Sequence, residues 1–192
     1  MRATANRRFM GALISWTLVC LPAGACLSTP AGATAGEAAV FDIHYPKQRL
    51  PAPDFSLPEL GGGSRSLGDY RGKVVLIHFW ATFCAPCLEE MPDLEAFWQR
   101  YREQGLVVLG VAADRGSARA VREFSVHAGV SFPVLLDPDG VVRNRYEVLA
   151  LPVSYLVGRD GKLSGRVVGS REWNSPEGRK VIEMLLAPGA AD

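Results

Sequence analysis

One ten-residue stretch, His78-Phe79-Trp80-Ala81-Thr82-Phe83-Cys84-Ala85-Pro86-Cys87, constrains this chain more than any other. The apolar run from Val74 to Trp80 reads as a buried strand. It is followed at once by two cysteines spaced Cys-x-x-Cys, and then by a helical pattern. A strand that delivers such a pair to the start of a helix is a redox arrangement. The helix N-terminus lowers a thiol pKa, and the thiolate is the reactive form.

The remaining elements fit around that stretch. Pro51 to Leu57 reads as an edge-type strand, where prolines are tolerated. Gly61 to Gly63 is a turn, and Ser64 to Leu67 the returning strand. Ala85 to Gln104 reads as a helix on the spacing of Leu88, Met91, Leu94 and Trp98, with Gly105 as its stop. Leu106 to Ala112 is a second apolar strand, Ser117 to Ala128 a helix, and Phe132 to Leu136 a short strand. A turn at Asp137 to Gly140 leads into a brief helix expected around Val141 to Tyr146. Val153 to Val157 and Lys162 to Val168 pair about the turn Gly158 to Gly161, and Glu177 to Leu186 closes the chain as a helix. This alternation predicts an α/β fold, a mixed sheet with helices on both faces. Strands this apolar predict a sheet covered on both sides.

Composition excludes several function classes. Hydrophobic residues make up 48% and charged residues 21%, which suits a globular domain with a real core. The net charge of +1 is unevenly placed, because Arg2, Arg7 and Arg8 precede the first acidic residue, Glu37. Without those three, 18 basic residues face 20 acidic ones. No basic stripe or Lys/Arg block points to nucleic acid.

The N-terminus has the order of a secretory signal: a basic start, an apolar run from Phe9 to Leu21, then small residues at Ala23 to Ala25 or Ala33 to Ala35. Residues 1–35 are therefore expected to be a signal peptide. The competing reading is a membrane anchor that tethers the protein, although the apolar run is short of the ~20 residues a span needs. Ala23-Gly24-Ala25-Cys26 also loosely resembles a lipoprotein cleavage site, while Arg7-Arg8 fits twin-arginine export poorly. Residues 36–49 read as a linker, 50–187 as the folded domain and 188–192 as a tail. Cleavage after Ala35 removes Cys20 and Cys26 and leaves Cys84 and Cys87 as the only cysteines. A structural disulfide closing so small a loop constrains the unfolded chain weakly. A four-thiol metal site is excluded on the same count, so no metal is expected, and redox exchange by the cysteine pair itself needs no bound cofactor.

Lys73-Val-Val-Leu-Ile-His-Phe-Trp-Ala-Thr-Phe-Cys-Ala-Pro-Cys-Leu-Glu-Glu-Met-Pro92 resembles the thioredoxin superfamily, and within it the exported TlpA/ResA-like branch. Ala52 to Leu57, Leu67 to Lys73, Leu151-Pro152 with Val153 to Val157, and the turn Gly158 to Gly161 stand in the order of that family. The resemblance covers roughly residues 50 to 187. It implies a thioredoxin-like mixed sheet flanked by helices, with an N-terminal strand pair and an inserted helix between Arg115 and Val134. It also implies an exported thiol–disulfide oxidoreductase, periplasmic or otherwise extracytoplasmic.

The site residues follow from that likeness and from chemistry. Cys84, at the helix start, is the expected nucleophile, and Cys87, one turn further in, resolves the mixed disulfide. Together they are the expected redox-active disulfide. Glu90 matches the family's acidic residue and is a candidate general acid/base with a raised pKa, whereas Glu89 reads as a solvated carboxylate. His78 replaces a buried Asp or Asn of the family. It is either a proton relay to Cys87 or a satisfied core histidine. Pro152 is the expected cis-proline facing the cysteines. Leu151 is expected to pair with an extended substrate segment, and Trp80, Phe83 and Leu151 to form an apolar docking rim.

Ala85 and Leu88 place no charge or donor near the thiolate. A strong oxidant stabilises its thiolate form, so their absence points to a reductant. The expected partners are an exported protein carrying a disulfide, of the apocytochrome c or copper-site thiol class, and a membrane electron donor. Two alternatives stand beside this. A thiol peroxidase wants Thr or Ser where Ala81 stands, and a copper metallochaperone would use Cys84, Cys87 and a histidine.

Overall fold

The computed structural model describes residues 41–116 and 118–189. The expected signal segment and the last three residues of the tail lie outside them. The main sheet has five strands in the order β5-β4-β3-β6-β7. They are β3 (Val74–Trp80), β4 (Leu106–Ala112), β5 (Val134–Leu136), β6 (Val153–Val157) and β7 (Leu163–Val168). β3, β4 and β5 run parallel, and β6 and β7 are antiparallel additions. A separate two-stranded hairpin, β1 (Ser56–Pro58) with β2 (Ser64–Ser66), precedes them. The helices are α1 (Ala85–Tyr101), α2 (Arg119–His127), α3 (Val141–Arg145) and α4 (Pro176–Leu186).

β3 is the centre of the sheet and every one of its residues is buried. Its period of two sends Leu76, Trp80 and, between them, His78 to one face. There Leu76 and Trp80 join Cys87, Met91, Leu94 and Phe97 of α1, Val121 of α2, and Val181 and Ile182 of α4. Val75, Ile77 and Phe79 point the other way, onto Phe55, Leu57, Leu67, Val142 and Tyr146. That second face is covered by the hairpin, a 3-10 turn at Leu67–Tyr70 and the five-residue α3. Helix is thus unequally shared between the faces, and the short elements do much of the covering.

Pro92, which is expected to kink α1, lies inside the helix on its exposed side, and the helix continues past it to Tyr101. The inserted helix is α2, between β4 and β5, as the family likeness implied. The first strand is shorter than expected, Ser56–Pro58, because the prolines at 51 and 53 leave fewer N–H groups to pair.

Residues 41–49, expected as a linker, pack on the domain. The Phe41 ring stands edge-on to Trp173 at 5.2 Å, and Arg49 donates to Asp160 at 2.8 Å. Among the described residues no helix is long and apolar enough to cross a membrane.

Candidate active site

The C-terminal ends of β3 and β4 lie side by side, with Trp80 in register with Ala112. The chain leaves β3 there through Ala81, Thr82 and Phe83. Cys84 is the N-cap of α1, in an extended conformation, and Pro86 occupies the first helical turn. Proline suits that turn because the N–H it lacks has no helical acceptor. The Cys84 carbonyl accepts from Cys87 N–H at 3.0 Å and from Leu88 N–H at 3.1 Å, so the helix is wound from its first residue. Cys84 and Cys87 form a disulfide with their Cα atoms 5.3 Å apart. Cys84 is partly exposed and Cys87 is fully buried. A partner thiol or disulfide thus meets Cys84 first, and the positive end of α1 favours a thiolate there.

The turn before the cysteines is held from β4. Thr82 N–H donates to both carboxylate oxygens of Asp114, at 3.2 and 3.1 Å, and the Thr82 hydroxyl donates to the same carboxylate. Asp114 follows the end of β4, so this clamp ties the approach to Cys84 to the neighbouring strand. Asp114 is a positioning residue that no sequence motif marked.

Glu90 sits one helical turn beyond Cys87 and on the same side of α1; it is 5% exposed. Burial pushes its carboxyl up to about 7, against the opposing pull of the Arg171 N–H, which donates to Oε2 at 3.0 Å. Its remaining oxygen, Oε1, stands 3.4 Å from His78 Nε2. His78 is fully buried, and burial pushes its pKa down to about 3, so the ring is neutral. Its other nitrogen, Nδ1, lies 2.9 Å from Ser154 Oγ. His78 and Ser154 are directly opposed in the antiparallel β3–β6 register, which brings their side chains together on the α1 face. His78 is therefore hydrogen-bonded to Ser154 and faces Glu90, and its place beside the active helix is shared with a serine that sequence reading missed. Only the register signal, two strands pairing residue 78 with residue 154, could have found it.

Glu90 also borders a surface recess of about 390 Å³, lined with Glu89, Asp93, Ser170, Arg171 and Glu172. A buried carboxyl with one side on solvent and pKa near neutrality can take and release protons under physiological conditions.

The expected docking rim needs one correction. Trp80 is fully buried: its ring packs 5.4 Å from Phe124 of α2, over Gly110 of β4. A Cβ at Gly110 would come 2.9 Å from Phe132 and 3.2 Å from the Trp80 indole nitrogen, so only glycine leaves this space. Trp80 is a core residue because an even position on the central strand faces the helical layer. Phe83, by contrast, is 73% exposed beside Cys84, and Leu151 is partly buried between the two core clusters. The Leu151–Pro152 bond is cis. The Pro152 carbonyl accepts from Gly169 N–H, whereas neither backbone group of Leu151 has a backbone partner among the described residues. Leu149, two residues earlier, is 95% exposed and was not anticipated.

For the two alternatives, Ala81 supplies no hydroxyl before Cys84, and His78 turns to Glu90 and Ser154. Among the described residues no three His, Cys, Asp or Glu side chains are grouped to hold a metal.

Comparison with known proteins agrees with this geometry. The model of the AhpC/TSA family matches residues 49–166. The thiol-disulfide oxidoreductase ResA of Geobacillus kaustophilus is 36% identical over 119 residues, which is 62% of this chain and 68% of that protein. The thioredoxin-like protein YneN of Bacillus subtilis is 37% identical over 120 residues, 62% of this chain and 70% of that protein. A crystal structure from Chlorobium tepidum, assigned provisionally as the thiol:disulfide interchange protein DsbE, superposes with a TM-score of 0.68 at 31% identity. That match covers 73% of this chain and 98% of the other. The family model spans more than half of the sequence, and the chain belongs to the AhpC/TSA family, among its ResA-like thiol–disulfide oxidoreductases.

Proposed function

We propose that this oxidoreductase works in the cell envelope and in the reducing direction, on disulfides of exported proteins. The observation that carries the reading is the asymmetry of the pair: Cys84 meets solvent at the helix start while Cys87 is enclosed, with the Glu90 carboxyl one turn away. In the reduced enzyme the Cys84 thiolate attacks a substrate disulfide, forming a mixed disulfide and releasing one substrate thiol. Glu90 then takes the proton of Cys87. The Cys87 thiolate attacks Cys84 Sγ, the second substrate sulfur leaves as a thiol, and the Cys84–Cys87 disulfide remains. A carboxyl near 7 is matched to a thiol that must lose its proton only at this step.

Direction follows from what surrounds Cys84. Ala85 and Leu88 add no donor or charge to stabilise the thiolate, which favours the oxidised enzyme and so a reductant. An oxidising compartment then requires a membrane dithiol donor to reset the pair. No bound cofactor enters this scheme. Phe83, Leu151 and Pro152 form the docking edge, on which the free backbone groups of Leu151 receive an extended substrate segment as an added strand. Export rests on residues 1–35, either as a cleaved signal or as a tether. The substrate class is apocytochrome c thiols, or the thiols of a copper site.

A Cys87→Ser variant tests the scheme, because it removes the resolving thiol and should hold the natural substrate on Cys84 as a mixed disulfide. Cys84→Ser should abolish disulfide reductase activity, and retained activity would overturn the mechanism. The redox midpoint should lie near that of thioredoxin, about −270 mV; a value near the strong oxidants, about −120 mV, would reverse the direction.

A further inference from the structure

We propose that Ser154 and His78 form a buried, directional hydrogen-bond chain that delivers an imidazole N–H to the Glu90 carboxyl group, with Ser154 as the residue that sets the histidine tautomer. This rests on the reading of Glu90 as the acid/base of the pair and adds two positioning residues behind it.

The chain is read from three buried groups and their unmet hydrogen-bonding needs. Ser154 is buried, and its hydroxyl contacts only His78 Nδ1 among the described residues, at 2.9 Å. His78 Nε2 and Glu90 Oε1 face each other at 3.4 Å, and each lacks any hydrogen-bond partner. A buried hydroxyl left without an acceptor is unfavourable, because it has given up its bonds to water and gained none in return. If Nδ1 carried the hydrogen, the Ser154 O–H would have no acceptor. If Ser154 donates to Nδ1 instead, both atoms are satisfied and the hydrogen must sit on Nε2, aimed at Glu90. The neutral state of the buried ring leaves no third choice. At 3.4 Å the two atoms face each other without yet bonding, and ionisation of the carboxyl would draw the N–H in.

The consequence concerns only how readily Glu90 gives up its proton. An N–H at Oε1 favours the carboxylate, as do the Arg171 N–H at Oε2, the Arg171 charge and the Ser170 hydroxyl. Burial and the Asp93 carboxylate oppose them, and Glu89 and Glu172 border the same recess. His78 itself faces Gly110 of β4, Ser154 of β6 and Glu90 of α1, and among the described residues burial alone sets its charge state. Without the Ser154 hydroxyl both tautomers become available. The one with a bare Nε2 accepts from protonated Glu90 and so retains the proton.

The test is side-chain NMR on the full-length oxidised protein, in which Cys84 and Cys87 do not titrate. Replacing His44 and His127 with Gln leaves His78 as the single histidine. Nitrogen-15 shifts should show a neutral ring with hydrogen on Nε2 from pH 5 to pH 9. Carbon-13 shifts of the Glu90 carboxyl should give a midpoint that rises by about one pH unit in Ser154→Ala. Ser154→Thr should restore both the tautomer and the midpoint, and His78→Phe should raise the midpoint further. Hydrogen on Nδ1 in the parent protein overturns the proposal without any variant, as does a Glu90 midpoint that Ser154→Ala leaves in place. Full reductase activity in Glu90→Gln alongside the Nε2 tautomer would instead refute the role of Glu90 and leave this chain standing.

Discussion

Glu90 concentrates the chemistry of this protein in one protonation equilibrium, and its burial has a cost with a definite sign. Folding raises its pKa from an ordinary 4.5 to about 7. The stabilising contribution is complete below about 4.5 and is lost as pH rises through about 7, a swing of about 3 kcal/mol. His78 works in the opposite sense: the unfolded chain protonates it below about 6.5 while the folded chain does not, so its burial costs stability as pH falls. The two slopes offset each other between about pH 4.5 and 6.5, and the difference between wild type and Glu90→Gln isolates the carboxyl. In urea unfolding of the oxidised protein, Glu90→Gln should match wild type near pH 5 and exceed it by up to about 3 kcal/mol at pH 8. A pH-independent difference would sink this account. Phe83 and Leu149 make the contrasting case. Both are open to solvent, Phe83 next to Cys84 and Leu149 two residues before Leu151, so Phe83→Ser and Leu149→Ser should alter stability by less than about 0.5 kcal/mol. Each should raise KM for a protein disulfide several-fold and leave exchange with a small disulfide unchanged. Equal loss on both substrates would place them in the chemistry instead of the docking.

The loop between β7 and α4 connects the active helix to the rest of the fold. Its Arg171 N–H serves Glu90, its Asn174 N–H serves Asp93 at 3.0 Å, and its Trp173 is buried in the helical-face core. Gly178, in the first turn of α4, lies against this loop, and a Cβ there would come 2.3 Å from the Trp173 carbonyl oxygen. A backbone atom cannot yield as a flexible side chain can. Gly178→Ala should therefore destabilise by about 1–3 kcal/mol, and it should shift the Glu90 midpoint by moving the Arg171 N–H. An unchanged midpoint with lowered stability would separate the loop from the site. The strands β3, β4 and β6 were legible to the residue, because mostly apolar runs bounded by glycine, proline and polar turns admit few other readings. Cys84, Cys87 and the cis proline were legible because each is tied to a local pattern. Ser154, Asp114 and Arg171 were not, since each reaches the site through a register or a loop that only tertiary structure defines. Trp80 was misplaced for the complementary reason: an aromatic next to an active-site motif reads as a rim residue, and only α2 closing over the sheet shows it to be core.

At the scale of the whole domain, the sheet leaves neither edge bare. On the β5 side, Leu60 N–H donates to the Val134 carbonyl at 2.8 Å, and Glu59 bridges to Leu135. On the β7 side, residues 44–51 run antiparallel to the strand: His44 and Arg166 exchange hydrogen bonds at 2.8 and 2.9 Å, and Leu163 N–H donates to the Leu50 carbonyl. Unpaired edges invite association with other chains, so both segments protect the fold as well as stabilise it. The β7 strap is anchored by side chains at three points. Phe41 packs edge-on to Trp173, Ile43 lies where a Cβ on Gly165 would come within 2.6 Å, and Arg49 bonds Asp160 and Ser164. A chain beginning at Leu50 should be less stable than one beginning at Phe41 by about 3–5 kcal/mol, mostly from the lost burial and ring packing of Phe41 and Ile43. It should also scatter light at concentrations where the longer chain does not. Phe41 of the strap packs on Trp173, in the loop that carries the Arg171 N–H to Glu90, so the Cys84–Cys87 midpoint should shift along with the stability in the shorter chain. Equal melting temperatures would show residues 41–49 to be a passive linker after all, and an unchanged midpoint would show that the strap does not reach the redox pair.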